Sequence, residues 1–255
     1  MPDPSGAAHA AGTAGGAEAW SPPDPATVAD LVAARAGVLT AIDAACARSG
    51  RDPSGVTLVA VSKTVGASRL RAAVAAGLIT LGENRVQEAE EKIPAVPGAR
   101  WHLVGPLQAN KARRAVALFD VIESVDTLAL AMRLDRLAGE LLPGGPLQVL
   151  LQANVDADPA KAGFEPADLA GALPVLARLR NLELRGLMTV GRLAPTAEDA
   201  RSTFRALCTL AAEMRAANPA LGPELSMGMS DDYAVAVEEG ATIVRVGRAL
   251  FGERA

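Results

Sequence analysis

The sequence holds 255 residues, 50% of them hydrophobic and 21% charged, with a formal net charge of −4. That length supports one large folded unit or two small ones, and mild acidity without a basic block argues against nucleic-acid and membrane-surface binding. No stretch approaches the roughly 18 uninterrupted apolar residues of a membrane span, and a chain with only His9 and His102 is a poor candidate for a zinc site.

Residues 1–23 are rich in Ala, Gly and Pro and lack both a positively charged start and an apolar core. They predict a disordered tail rather than a signal peptide. Asp24-Pro25 then opens a helix whose apolar stripe runs through Val28, Leu31, Val32, Val38, Leu39, Ile42 and Cys46, with Gly50 as the stop. From residue 56 the pattern alternates. Predicted strands cover 56–62, 78–82, 101–105, 120–124, 147–154, 182–190, 224–227 and 242–246. Predicted helices follow at 67–76, 86–93, 108–118, 127–142, 166–179, 197–217 and 231–239, with a short last one at 249–251. Eight strand–helix repeats predict an α/β fold, a single (β/α)8 TIM barrel over residues 24–255 with an extra N-terminal helix. Cys46 and Cys208 lie in helical stretches without metal-ligand spacing and read as reduced core thiols of a cytoplasmic protein.

The first strand, Val56 to Ser62, reads as buried on both faces and runs straight into Lys63. An ammonium buried there is costly without a partner. Only four of the 25 basic residues are lysine: Lys63, Lys92, Lys111 and Lys161. Arginine cannot act as an amine nucleophile, so a lysine kept at a strand end hints at amine chemistry, weighed evenly against chance. Barrel enzymes place chemistry at the C-terminal ends of strands. Those ends here carry Lys63, Glu83-Asn84, His102, Asp126, Asn154, Met188-Thr189, Ser226 and Arg245 to Gly247.

The segments after strands seven and eight look like an anion cradle. Ser226 offers a hydroxyl, Gly228 opens the turn, and Gly247-Arg248 enters a helix. Ser230, Asp231 and Asp232 read more simply as an N-cap with first-turn acids. Arg245 sits on a buried strand and needs an acceptor, either a ligand or a barrel carboxylate such as Glu83. His102 reads as a hydrogen-bonded core histidine. An amine facing a phosphate cradle points to a phosphorylated carbonyl ligand, and pyridoxal 5′-phosphate is the economical candidate.

Ordered motifs strengthen that reading. They are Val59 to Lys63, Gly82 to Glu88, Trp101 to Lys111, Arg185 to Met188, Leu225 to Asp232, and Val244 to Gly247 with Phe251-Gly252. Together they make the chain resemble the pyridoxal phosphate homeostasis proteins, from about residue 28 onward. The barrel of that family is like the N-terminal domain of bacterial alanine racemase. The resemblance implies that Lys63 forms a Schiff base with the cofactor and that Arg245 faces its pyridine nitrogen, weakening the electron sink. It implies that Ser226 and the backbone N–H groups of Gly247 and Arg248 hold the phosphate, and that Asn84 and Met188 line the ring pocket. Lys161, in Asp158 to Gly163, matches a family lysine near the pocket mouth. Arg248 departs from the family, where a small hydroxyl residue is common.

The second acid/base that a racemase needs comes, in alanine racemases, from a tyrosine of a β-rich domain. The present chain has one tyrosine, Tyr233, after strand seven. The expectation is therefore a monomeric carrier that buffers or delivers the cofactor, possible recipients being apo enzymes that use it, without robust turnover. A single-domain amino-acid racemase, a Schiff-base aldolase of a phosphorylated sugar and a bare interaction scaffold are the alternatives.

Overall fold

The computed structural model describes residues 22–191 and 195–252. The predicted tail falls largely outside them. Asp24 accepts a hydrogen bond from Thr27 N–H at 2.9 Å and caps α1 (Pro25–Ser49), and Gly50 ends that helix in the left-handed region at φ 66°. Proline at the start and glycine past the end are where each is tolerated best. Leu31, Val38, Ile42, Ala45 and Cys46 form the buried side of α1.

Eight strands follow: β1 (Thr57–Val61), β2 (Thr80–Glu83), β3 (Arg100–Leu103), β4 (Val121–Val125), β5 (Leu147–Gln152), β6 (Leu182–Met188), β7 (Glu224–Ser226) and β8 (Ile243–Val246). They close in chain order into one parallel barrel. The helices between them are α2 (Ala67–Ala75), α3 (Val86–Lys92), α4 (Ala112–Leu118), α5 (Leu128–Leu141), α6 (Pro166–Leu176), α7 (Arg201–Ala217) and α8 (Tyr233–Glu238), and α9 (Arg248–Phe251) comes last. The sequence-based order holds throughout, with ends shifted by a few residues. The predicted helix at 108–118 starts as a 3-10 turn at Ala109–Lys111, and the one at 197–217 does so at Glu198–Ala200.

Side-chain alternation sorts the strands into two faces. A Cβ built on Gly82 would lie 2.7 Å from Val59 Cγ1 and 3.4 Å from Val104 Cγ1, so position 82 faces the barrel interior. Val59, Val104, Val121, Leu150, Met188 and Ile243 pack there as one apolar plug. A larger core lies between the sheet and the helices. Glu83, one residue on from Gly82, therefore points outward toward α3. Both cysteines are free, and Cys208 donates to Glu239 O. Among the described residues no helix is long and apolar enough to cross a membrane.

Candidate functional site

Strand order brings most of the predicted residues to one side of the barrel mouth. β2, β1, β8, β7 and β6 are consecutive neighbours. Val61 pairs with Gly82, Ala60 with Val246, and Met188 with Ser226. The C-terminal ends of these strands thus present, side by side, Asn84, Lys63, Gly247 and Arg248, Ser226, and Met188.

Lys63 sits just past β1, in a turn closed by Val65 N–H donating to Ser62 O at 3.0 Å. It is exposed, not buried as the strand pattern suggested. β1 is buried only at its centre, Val59 and Ala60, so the chain has left the sheet by residue 63. The buried lysine is instead Lys92, on α3. Its Nζ donates to Ser62 O at 2.9 Å, Glu83 Oε1 at 2.6 Å and Glu88 Oε2 at 3.1 Å. All three ammonium protons are used, which is what a buried ammonium requires.

Arg245 is buried and faces inward. One Nη donates to Ser226 Oγ at 2.6 Å and the other to Thr189 O at 2.7 Å. Ser226 Oγ donates in turn to Glu123 Oε2 at 2.5 Å. The second oxygen of Glu123 meets His102 Nδ1 at 2.6 Å. A polar row from β3, β4, β7 and β8 therefore crosses the apolar plug. The suggested pairing of Arg245 with Glu83 is corrected, because Glu83 lies on the other face of the sheet. Asp232 is the second carboxylate whose charge reaches Arg245. Burial alone would push the Glu123 carboxyl up, but the hydrogen bond and charge of His102, the charge of Arg245 and the Ser226 hydroxyl together hold it below the usual carboxylate range.

Sequence reasoning missed Glu123 and the outward cluster around Lys92. Glu123-Ser124 inside the otherwise apolar run Val121 to Val125 was the available signal for the first. Ser230 also reads differently in three dimensions. The residue preceding α8 is Asp232, which accepts from Met229 N–H at 2.6 Å, so Ser230 is not that helix's cap. Its Oγ instead accepts from Gly247 N–H at 3.2 Å, joining the β7 and β8 loops. The Arg248 guanidinium, half exposed, pairs with Asp231 on the rim. Met188 is fully buried at the end of β6. Asn84 Oδ1 is buried without a partner in the protein, as is His102 Nε2. Lys161 lies in the β5–α6 loop and reaches the segment just past β6, with Nζ donating to Gly191 O at 3.3 Å.

The Asn84 backbone is held against β3. A Cβ built on Gly105 would lie 2.3 Å from Asn84 O and 2.7 Å from Asn84 Cα, and Gly105 O accepts from the buried Ser124 Oγ at 2.6 Å. Gly105→Ala must displace one backbone or the other. Overpacking of this kind costs about 1–3 kcal/mol, which should appear as a lowered urea midpoint with an unchanged slope.

The family described as "Alanine racemase, N-terminal domain" matches residues 39–255. The pyridoxal phosphate homeostasis protein of Pseudomonas aeruginosa is 43% identical over 234 residues, covering 89% of this chain and 96% of that protein. The chain belongs to the pyridoxal phosphate homeostasis family. The protein of that name from Escherichia coli is 40% identical over 232 residues, covering 88% of this chain and 97% of its own. The solved structure of PipY from Synechococcus elongatus with pyridoxal phosphate bound is 46% identical, with a TM-score of 0.76, over 87% of this chain and all of that one. An alanine racemase from Clostridium difficile is 15% identical, with a TM-score of 0.68, over 56% of its length. That last likeness concerns the fold alone. The relatives are thus named for pyridoxal phosphate homeostasis, while the barrel fold is shared with a racemase.

Proposed function

We propose that the protein binds pyridoxal 5′-phosphate at the β6–β7–β8–β1–β2 side of the barrel mouth and carries it on Lys63 in a reversible, non-catalytic role. The observation that carries this reading is the adjacency of an exposed amine, a buried guanidinium and a glycine loop on neighbouring strands β1 and β8. The residues fit the group. Asn84 Oδ1 is a buried acceptor lacking a partner. A Cβ on Gly247 would lie 3.3 Å from Val61 O, so the loop packs closely on β1 and a side chain there would crowd it. Ser230 and Gly247 N–H already converge at one point of the rim.

When bound, the cofactor supplies an aldehyde that condenses reversibly with an amine, and a phosphate that anchors it. Lys63 offers that amine from an exposed turn. Arg245 would set a permanent positive charge beside the ring nitrogen and, having donors but no acceptor, would disfavour its protonation. The Ser226 hydroxyl proton is already given to Glu123, so Ser226 acts through Arg245, whose position it fixes. The phosphate contacts would then fall to the Arg248 N–H and the Ser230 hydroxyl, joined by the Gly247 N–H once it leaves Ser230 Oγ. Arg248 adds positive charge at the rim while tied to Asp231. Met188 and Asn84 would border the ring.

Relatives at 40–43% identity bear the homeostasis name, which supports supply rather than turnover. Free thiols at Cys46 and Cys208 suit a reducing cytoplasm. Apo enzymes that use the cofactor are the natural recipients. The test is reduction of the cofactor-loaded protein with borohydride followed by peptide mapping. The label should sit on the Lys63 peptide. A label on Lys161 instead, or none at all, overturns the assignment.

A further inference from the structure

The turn carrying Lys63 is unusual in its backbone. Thr64 has φ 65°, in the left-handed region that a β-branched residue rarely enters. Such a conformation persists only when its surroundings enforce it. The enforcement is visible. Thr64 N–H donates to Glu88 Oε2 at 3.1 Å, and the same oxygen accepts from Lys92 Nζ at 3.1 Å. Lys92 also grips Ser62 O at 2.9 Å, and Ser62 Oγ donates to Glu83 Oε1 at 2.6 Å. Both residues flanking Lys63 are thereby fixed to one cluster. Glu83 and Ser62 have no exposure, so the base of the cluster is rigid. Glu88 precedes Lys92 by four positions on α3, the favourable order for an ion pair on a helix.

We propose that Glu88 is the positioning residue for Lys63: seated on Lys92 and Glu83, it clamps Thr64 in the left-handed turn that aims the Lys63 amine at the barrel mouth. The inference rests on Lys63 being the attachment point. It adds a residue that lies outside the barrel mouth, on α3, and need not touch the cofactor. It also gives Lys92 a purpose apart from amine chemistry. Glu88 acts on the neighbouring backbone, so its loss should slow capture of the aldehyde while leaving the rest of the pocket intact.

The experiment follows growth of the visible band when pyridoxal 5′-phosphate is added to the full-length protein. In parallel it measures binding of pyridoxamine 5′-phosphate, which has the same ring and phosphate but no aldehyde to capture. Glu88→Ala should slow band growth about tenfold, the scale of one lost charge-assisted hydrogen bond, with unchanged affinity for pyridoxamine phosphate. Glu88→Gln, whose amide oxygen can still accept from Thr64 N–H, should recover most of the rate. So should Glu88→Ala combined with Thr64→Gly, because glycine adopts positive φ without penalty. Wild-type capture by Glu88→Ala, failure of both rescues, or an equal fall in pyridoxamine phosphate affinity would each overturn the proposal. If Glu88→Ala does not fold, Glu88→Ser, too short to reach Thr64, replaces it under the same criteria. Lys63→Ala separates the two levels. If it loses the band and Glu88→Ala matches the wild type, the clamp is wrong and the attachment stands. If it keeps the band, both fall.

Discussion

Lys63→Ala should fold as well as the wild type and yet show no visible cofactor band. The side chain is exposed and follows the strand rather than belonging to it. Substitutions at such positions usually change stability by less than about 0.5 kcal/mol, a shift of only about 1–2 °C in melting temperature for a domain of this size. Loss of the amine removes the covalent contact altogether, so the spectral change should be complete rather than graded. Gly247, Ser230 and Arg245 remain in place, so weak, non-covalent binding of the phosphorylated ring should survive. Thermal melts and absorbance spectra of the two proteins check both halves. A visible band in the variant would move the attachment to another lysine. A melting point many degrees lower would mean that Lys63 also supports the fold.

Glu123 should be the most damaging single position inside the barrel. Its carboxylate is fully buried, ties His102 to Ser226, and supplies the counter-charge of Arg245. Glu123→Ala leaves a guanidinium buried with its hydrogen-bond relay broken. Removing one partner of a buried ionic group typically costs about 3–5 kcal/mol, or roughly 6–20 °C in melting temperature for 150–250 residues. Glu123→Gln keeps the shape and should lose less. The pH dependence follows from the direction of the shift. The Glu123 carboxyl titrates lower in the folded chain than in the unfolded one. Its stabilisation is therefore fully present above the unfolded value, and it fades as the pH falls through the folded value. Melting temperatures from pH 7 down to pH 3 should fall less steeply for Glu123→Gln than for the wild type. Parallel acid limbs would show that the Glu123 carboxyl titrates alike in the folded and unfolded chains, and a wild-type limb shallower than that of Glu123→Gln would show that it is held neutral in the fold.

The fold was legible because short apolar runs and amphipathic segments alternate with turn residues, and that alternation survives errors of a few residues at each end. The five neighbouring rim positions were legible for the same reason, since a parallel barrel in chain order fixes which strand ends adjoin. What lies behind the rim was not. Glu123 stands mid-strand, and its partners Ser226 and His102 are 103 and 21 residues away; period-two alternation gives the face but not which side chains meet across the barrel. Lys92 ends the run Glu88 to Lys92, which reads as an ordinary solvated helix face until α3 is packed on β2. The left-handed Thr64 carries no signal in its residue type, because the conformation is imposed by Glu88. Ser230 misled through a local rule: serine ahead of two acids resembles a cap, and only the actual helix start at Tyr233 shows that Asp232 holds that place.

The pairing of β1 with β8 has a mechanical consequence. A closed ring of strands has one seam where the first meets the last, and here the hydrogen bonds from Thr57 to Ala60 stitch it to Ile243 through Val246. Lys63 lies on one lip of that seam and Gly247 on the other. A ligand gripped by both would be a stitch across the one joint of the ring that, among the described residues, no strand-to-strand crossover also bridges. Cargo held there would add a side-chain link to the four register pairs that β1 and β8 already share.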